Sequence, residues 1–157
     1  MRACLRYLRY VLRHKWFVLI ECRKLGILWL GVVHDLSKFS KAEWRPYILS
    51  FYSGWKKDER PQWVVLLFER ALQHHFDHNA HHWERWCIGS GIFPMPDRYR
   101  REMLADWIGA GKAKKKGDPH HEGISEVATW YQKHKDKIKL HPDTQQWIEE
   151  QLELQQR

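Results

Sequence analysis

Cysteine is scarce in this chain. Its three cysteines, Cys4, Cys22 and Cys87, show no CxxC spacing. An odd set without paired spacing argues against a closed disulfide framework and fits a reducing, cytoplasmic setting. A long apolar run is missing too. The most apolar stretch, WFVLIECRKLGILWLGVV at residues 16–33, is interrupted by Glu21, Arg23 and Lys24. Those charges come too early for a membrane span, and no small-residue cleavage site of secretory type accompanies them. The two-residue alternation of half-buried strands is absent as well. Acidic residues are in deficit, with 19 Asp and Glu against 27 Lys and Arg, a net charge of +8. That balance favours acidic partners such as nucleic acid, nucleotides or phosphoryl substrates, without choosing among them.

What the chain holds instead is helical periodicity, ten tryptophans and eleven histidines. Its 157 residues fit one domain, residues 1–157, large enough to bury a core. Helices are expected from about residue 3 to 24, ended by Gly26, and from 27 to 37. Ser40 with Glu43 reads as a capping box opening a third helix through Tyr52. A fourth runs from Pro61 to His78. Residues 89–96 form a turn-rich loop, and Pro96 and Asp97 start the next helix. Residues 111–123 read as a basic, mobile surface loop, followed by helices over about 123–136 and 143–155. The expected class is all-α, a single-domain helical bundle. Arg2, Arg6, Arg9 and Arg13 share one side of the first helix, as a solvated face or a phosphate-backbone footprint.

The histidines concentrate in HHFDHNAHHWE, residues 74–84. The question they raise is whether other segments bring matching groups inward. His14 shares an apolar stripe with Val11, Val18, Cys22 and Leu25. His34 and Asp35 lie on the expected second helix, where neighbours point about 100° apart, so both reach one ion only if it sits between their directions. His75 continues the stripe of Val64, Phe68 and Ala71. Asp106 shares a stripe with Tyr99 and Met103, and a buried carboxylate is costly unless paired or bound to metal. Each alone is weak: a lone inward histidine is commonly a hydrogen-bonded core residue. Together they bring a His/Asp donor set from four helices, which suits one or two divalent ions of Mn, Fe, Co, Ni or Zn. Such a set with open positions activates water as a nucleophile. His81 and His82, just past a helix end, supply ligands for a second ion. His74, His78, His120, His121, His134 and His141 read as surface residues.

These residues resemble the HD-domain metal-dependent phosphohydrolases: a His on one helix, a later His-Asp pair and a downstream Asp, here His14, His34-Asp35 and Asp106. HDLSK is similar to the HD-x-x-K form of the cyclic-dinucleotide phosphodiesterase and diiron oxygenase branches. HHWERWCIGSGIFP resembles the His-His-Glu and Gly-Ser-Gly run of the former. Ser37 replaces that branch's glycine and Trp83 is inserted, so the metal pattern transfers better than the substrate. The chain also resembles small HD-like proteins of phages and bacteria that share HDLSKFS, NxHHW and ADWxGAG, here ending at Ser40, Trp83 and Gly111.

The resemblance implies an HD-type fold and hydrolysis of a nucleotide or another phosphorylated small molecule. Lys38 would hold a substrate phosphate, and Glu84 or His82 would protonate the leaving oxygen. Asn79 would orient substrate or a neighbouring histidine, with Arg98 and Arg101 as weaker phosphate contacts. Two other functions fit the same residues. One is a diiron oxygenase on the same ligand framework. The other is a basic nucleic-acid-binding module with a structural metal or none, carried by the arginine stripe, the 112–116 loop and the tryptophans.

Overall fold

The computed structural model describes residues 2–114 and 123–154. Among them are seven α-helices: α1 (Arg2–Lys24), α2 (Leu28–Val33), α3 (Lys41–Tyr52), α4 (Gln62–His78), α5 (Asp97–Lys114), α6 (Gly123–His134) and α7 (Pro142–Leu154). The class is all-α, as the periodicity predicts. No helix among the described residues is long and apolar enough to cross a membrane.

Three local expectations are corrected. The second helix stops at Val33, so His34 and Asp35 lie beyond its end, before a 3-10 turn over Leu36–Phe39. The expected plain loop after residue 88 contains a small antiparallel ladder, β1 (Cys87–Ile88) with β2 (Gly91–Ile92). Gly89 takes φ 60°, the left-handed backbone that suits so tight a reversal. The Ser40–Glu43 capping box does not form, because Ser40 makes no side-chain cap bond and Glu43 is fully buried. Of the basic loop, Lys112–Lys114 continue α5, and residues 115–122 lie outside the described residues.

Two cores flank α5. Met103, Leu104 and Ile108 pack with Val127, Tyr131, Ile148 and Leu152 of α6 and α7. On another face Ala105 meets Val18 and Cys22 of α1. The α1–α5 contact is close because Gly109 lacks a side chain. A Cβ there would lie 2.5 Å from Val18 Cγ2 and 3.0 Å from the Val18 backbone nitrogen. Gly31 does the same for α2, where a Cβ would lie 2.8 Å from Cys22 Cβ. On the N-terminal half of α1, Tyr7 meets Trp44 of α3 at a tilt, ring centres 4.8 Å apart, and stacks on Tyr47 at 6.0 Å. Tyr47 meets Phe68 of α4 edge-on at 5.2 Å. So α1 is wedged between α2, α3 and α5. His14 lies one turn before Val18, and Asp106 one turn before Gly109. The glycine contacts therefore set how near α2 and α5 bring their polar residues to α1.

Gly109→Val should lower the unfolding free energy by about 1–3 kcal/mol, the usual cost of overpacking. Thermal denaturation would show a drop of several degrees. An unchanged midpoint would mean that the two helices do not meet at this glycine.

Candidate metal centre

The break after α2 makes the centre possible. Neighbours on a helix point about 100° apart, which spreads their side chains. Here His34 is extended at φ −48°, ψ 129° and Asp35 is left-handed at φ 55°. Asp35 is the one non-glycine residue with positive φ among those described. Asp tolerates this conformation better than most residues. The reversal directs the His34 ring and the Asp35 carboxylate into one interior space, where each is 1 % exposed.

Around that carboxylate stand two groups. In the first, His14 Nε2 lies 3.3 Å from His34 Nε2 and 3.0 Å from Asp106 Oδ1. Asp35 Oδ2 lies 3.5 and 3.4 Å from the same two imidazole nitrogens. In the second, Asp35 Oδ1 lies 3.4 Å from His75 Nε2 and 3.5 Å from His81 Nε2. His82 Nε2 is 2.8 Å from His75 Nε2. Within each group the donor atoms all lie within 4.8 Å of one another, a spacing at which they can hold a metal ion. All seven residues singled out as candidate ligands thus meet, from α1, the α2 break, α4, the segment after α4, and α5. Asp35 belongs to both groups, with one oxygen in each.

Two buried glutamates stand behind the rings. Glu102 Oε1 lies 2.9 Å from His34 Nδ1 and 3.3 Å from His81 Nδ1. Glu43 places Oε2 2.8 Å from His75 Nδ1 and Oε1 2.8 Å from His74 Nδ1. The sequence reading missed both. Glu43 was masked by its resemblance to a cap residue. Glu102 sits one turn before Asp106, so an i, i+4 acidic pair on a buried face was the available signal. His74, expected at the surface, is half-buried against Glu43, whereas His78 is exposed and bonds the His74 carbonyl. His134 bonds the Trp130 carbonyl and is tied to its own helix. His120 and His121 lie outside the described residues.

The other expected site residues divide. Lys38 folds back onto Asp35 Oδ2 as a close ion pair. Glu84 is half-buried, with Oε2 3.8 Å from His82 Nδ1. Asn79 donates to Ser37 Oγ at 2.7 Å and to the His75 carbonyl at 2.7 Å, which makes it a support for the His75 turn. Arg101 is held by Asp97 and the Leu25 carbonyl, and Arg98 lies over the Tyr99 ring. The arginine stripe occupies a different face of α1 from His14. Arg6 donates to the Tyr52 carbonyl and Arg13 to that of Lys112, while Arg2 and Arg9 are exposed.

Charge in the centre is unevenly spread. Burial opposes a charged His34, yet facing carboxylates of Asp35, Asp106 and Glu102 outweigh it and hold the ring well above its usual pKa. Burial likewise opposes an ionised Asp35, and His34 and Lys38 outweigh it, so the carboxyl is held well below the usual range. His82 goes the other way. Burial, His81 and His75 depress it well below the ordinary value, which favours a neutral ring. Burial pushes the Glu84 carboxyl up.

These directions fix a sign. With its pKa raised, His34 contributes stability that is fully present below the unfolded value of about 6.5 and is lost as pH rises through the folded value. The depressed His82 contributes in the opposite sense, and that contribution is lost only below about 6.5. Chelator-treated protein should therefore lose stability as pH rises above about 6.5 and through the raised His34 value. A divalent ion, which replaces the proton as counter-charge, should abolish the loss. Denaturant titrations at several pH values check this, and a flat profile without metal would contradict it.

No curated protein and no solved structure matches this chain. A family model matches residues 4–154, a span that takes in every residue of the two groups. The chain belongs to that family, described as a family of unknown function, DUF5662.

Proposed function

We propose that this chain is a metal-dependent phosphohydrolase of HD type that holds two divalent ions on either side of Asp35. The observation that carries the reading is the Asp35 carboxylate, which presents one oxygen to each His/Asp group. The donor set fits such ions. It is all imidazole nitrogen and carboxylate oxygen, suited to Mn, Fe, Co, Ni or Zn. Asp35 Oδ1 and His81 Nε2 are buried and lack a hydrogen-bond partner, as expected of atoms whose natural partner is a cation. His14, His34, Asp35 and Asp106 would hold one ion; Asp35, His75, His81 and His82 would hold the other.

When bound, such ions lower the pKa of water and draw charge from phosphoryl oxygens. The chain's own groups supply the rest. The centre opens where Asp106, His82 and Glu84 retain 15, 20 and 30 % side-chain exposure. A phosphoester entering there meets Glu84, whose raised pKa keeps its proton closer to neutral pH. That suits a general acid for the leaving oxygen. His82, neutral and aimed at His75, serves as a ligand instead. Lys38 holds positive charge beside Asp35 and complements an incoming phosphate. The substrate class is a nucleotide or related phosphoester, in keeping with the net charge of +8.

The test is elemental analysis of freshly purified protein beside a hydrolysis panel of nucleotides and simple phosphoesters, repeated with Asp35→Ala. About two ions per chain are expected in the native protein. The variant should lose them and its activity more than about 100-fold, since even outer partners of metal ligands cost 10–100-fold. A variant that keeps metal and activity would sink the proposal. Two irons with oxygen consumption and no hydrolysis would replace it with the oxygenase. Metal-independent, salt-sensitive binding of DNA or RNA would replace it with the nucleic-acid module.

A further inference from the structure

An imidazole that donates its Nδ1 proton to a carboxylate turns its Nε2 lone pair to the opposite side, in a fixed tautomer and orientation. Three of the rings around Asp35 turn Nδ1 to a carboxylate, His34 at 2.9 Å, His75 at 2.8 Å and His81 at 3.3 Å. Glu102 takes His34 and His81, and Glu43 takes His75. The Nε2 atoms of those rings then lie 3.4, 3.5 and 3.4 Å from Asp35 oxygens. The two glutamates are 5 and 0 % exposed, and among the described residues neither pairs with Lys or Arg. Burying an acid without a cation is costly, so their histidine partners are what keep them there.

The two are not equivalent. One oxygen of Glu102 serves His34, from the first group, and His81, from the second, and those rings lie 4.4 Å apart. Glu43 serves His75 from the second group, and its other oxygen goes to His74, which belongs to neither group. We infer that Glu102 is the positioning residue shared by both halves of a two-ion centre, whereas Glu43 positions the second half alone. Loss of Glu102 loosens both ion sites together. Loss of Glu43 loosens the His75 site and leaves the His14 site intact. The inference rests on the two-ion reading and goes beyond it by ranking the two sites' dependence on residues outside the two groups that share Asp35.

Cobalt(II) is the probe, titrated into metal-free full-length protein by calorimetry with the visible cobalt spectrum recorded in parallel. The native chain should show two sites. Glu102→Ala should weaken both by about 10–100-fold, and Glu43→Ala should weaken one by as much while the other stays within about twofold. Glu102→Gln and Glu43→Gln keep an acceptor oxygen and lose the charge. They should show smaller losses in the same pattern, and they carry the comparison if an alanine variant fails to give a native circular-dichroism spectrum. A general loss of stability would weaken both sites in either variant, so the asymmetry separates positioning from structural support. Two sites in the native chain with no change at one of them in Glu102 variants, or equal losses in Glu43 variants, would overturn the inference alone. Native protein that binds fewer than two cobalt ions would instead remove the two-ion reading beneath it.

Discussion

The Asp35 carboxylate, 1 % exposed and ringed by four imidazole nitrogens, is the group around which the rest of this structure is arranged. An ionised carboxylate leaves water only when positive charge or several donors replace the hydration it gives up. Here Lys38 and a charged His34 supply that replacement, and their pull on Asp35 outweighs burial. The same interior also contains Asp106, Glu102 and Glu43, so acidic groups crowd a space that a protein without a further cation would have little reason to build. The proposed divalent ions would answer that imbalance with more charge in less volume than protons can.

The helices serve that end by close approach. Val18 and Cys22 on α1 touch the bare Cα positions of Gly109 and Gly31, which brings α5 and α2 against the same helix. His14 projects one turn earlier, between the Asp106 carboxylate and the His34 ring. The second group hangs from α4 and the turn after it, where Asn79 ties the His75 backbone to Ser37. Its rings sit on α4 and the segment just after it, whereas the first group gathers from α1, the α2 break and α5. Different origins for the two halves give a physical reason for one outer carboxylate, Glu102, to link them.

Much of this was legible in the sequence, and what was not has identifiable causes. The apolar stripes on α1, α4 and α5 named His14, His75 and Asp106 as inward-facing, because burial of Val11, Val18, Val64 and Met103 fixes each helix's rotation. The His34-Asp35 pair was recognisable, but its backbone was not: a left-handed aspartate at a helix end leaves no periodic trace. Glu43 was misread because Ser-x-x-Glu serves equally as a helix cap, and only tertiary contact distinguishes the uses. Glu102 was passed over because glutamate on a helix is ordinarily a surface residue. Outer partners of a site are in general harder to read than its donors, since they are defined by what they touch and not by what they are.

Two cations flanking one aspartate would appear directly in anomalous diffraction from crystals grown with manganese or cobalt. Two peaks per chain are expected, about 3.5–4 Å apart as in two-metal centres, one beside each oxygen of Asp35. No peak at Asp35, or ions bound only at surface carboxylates and histidines, would contradict the two-ion reading.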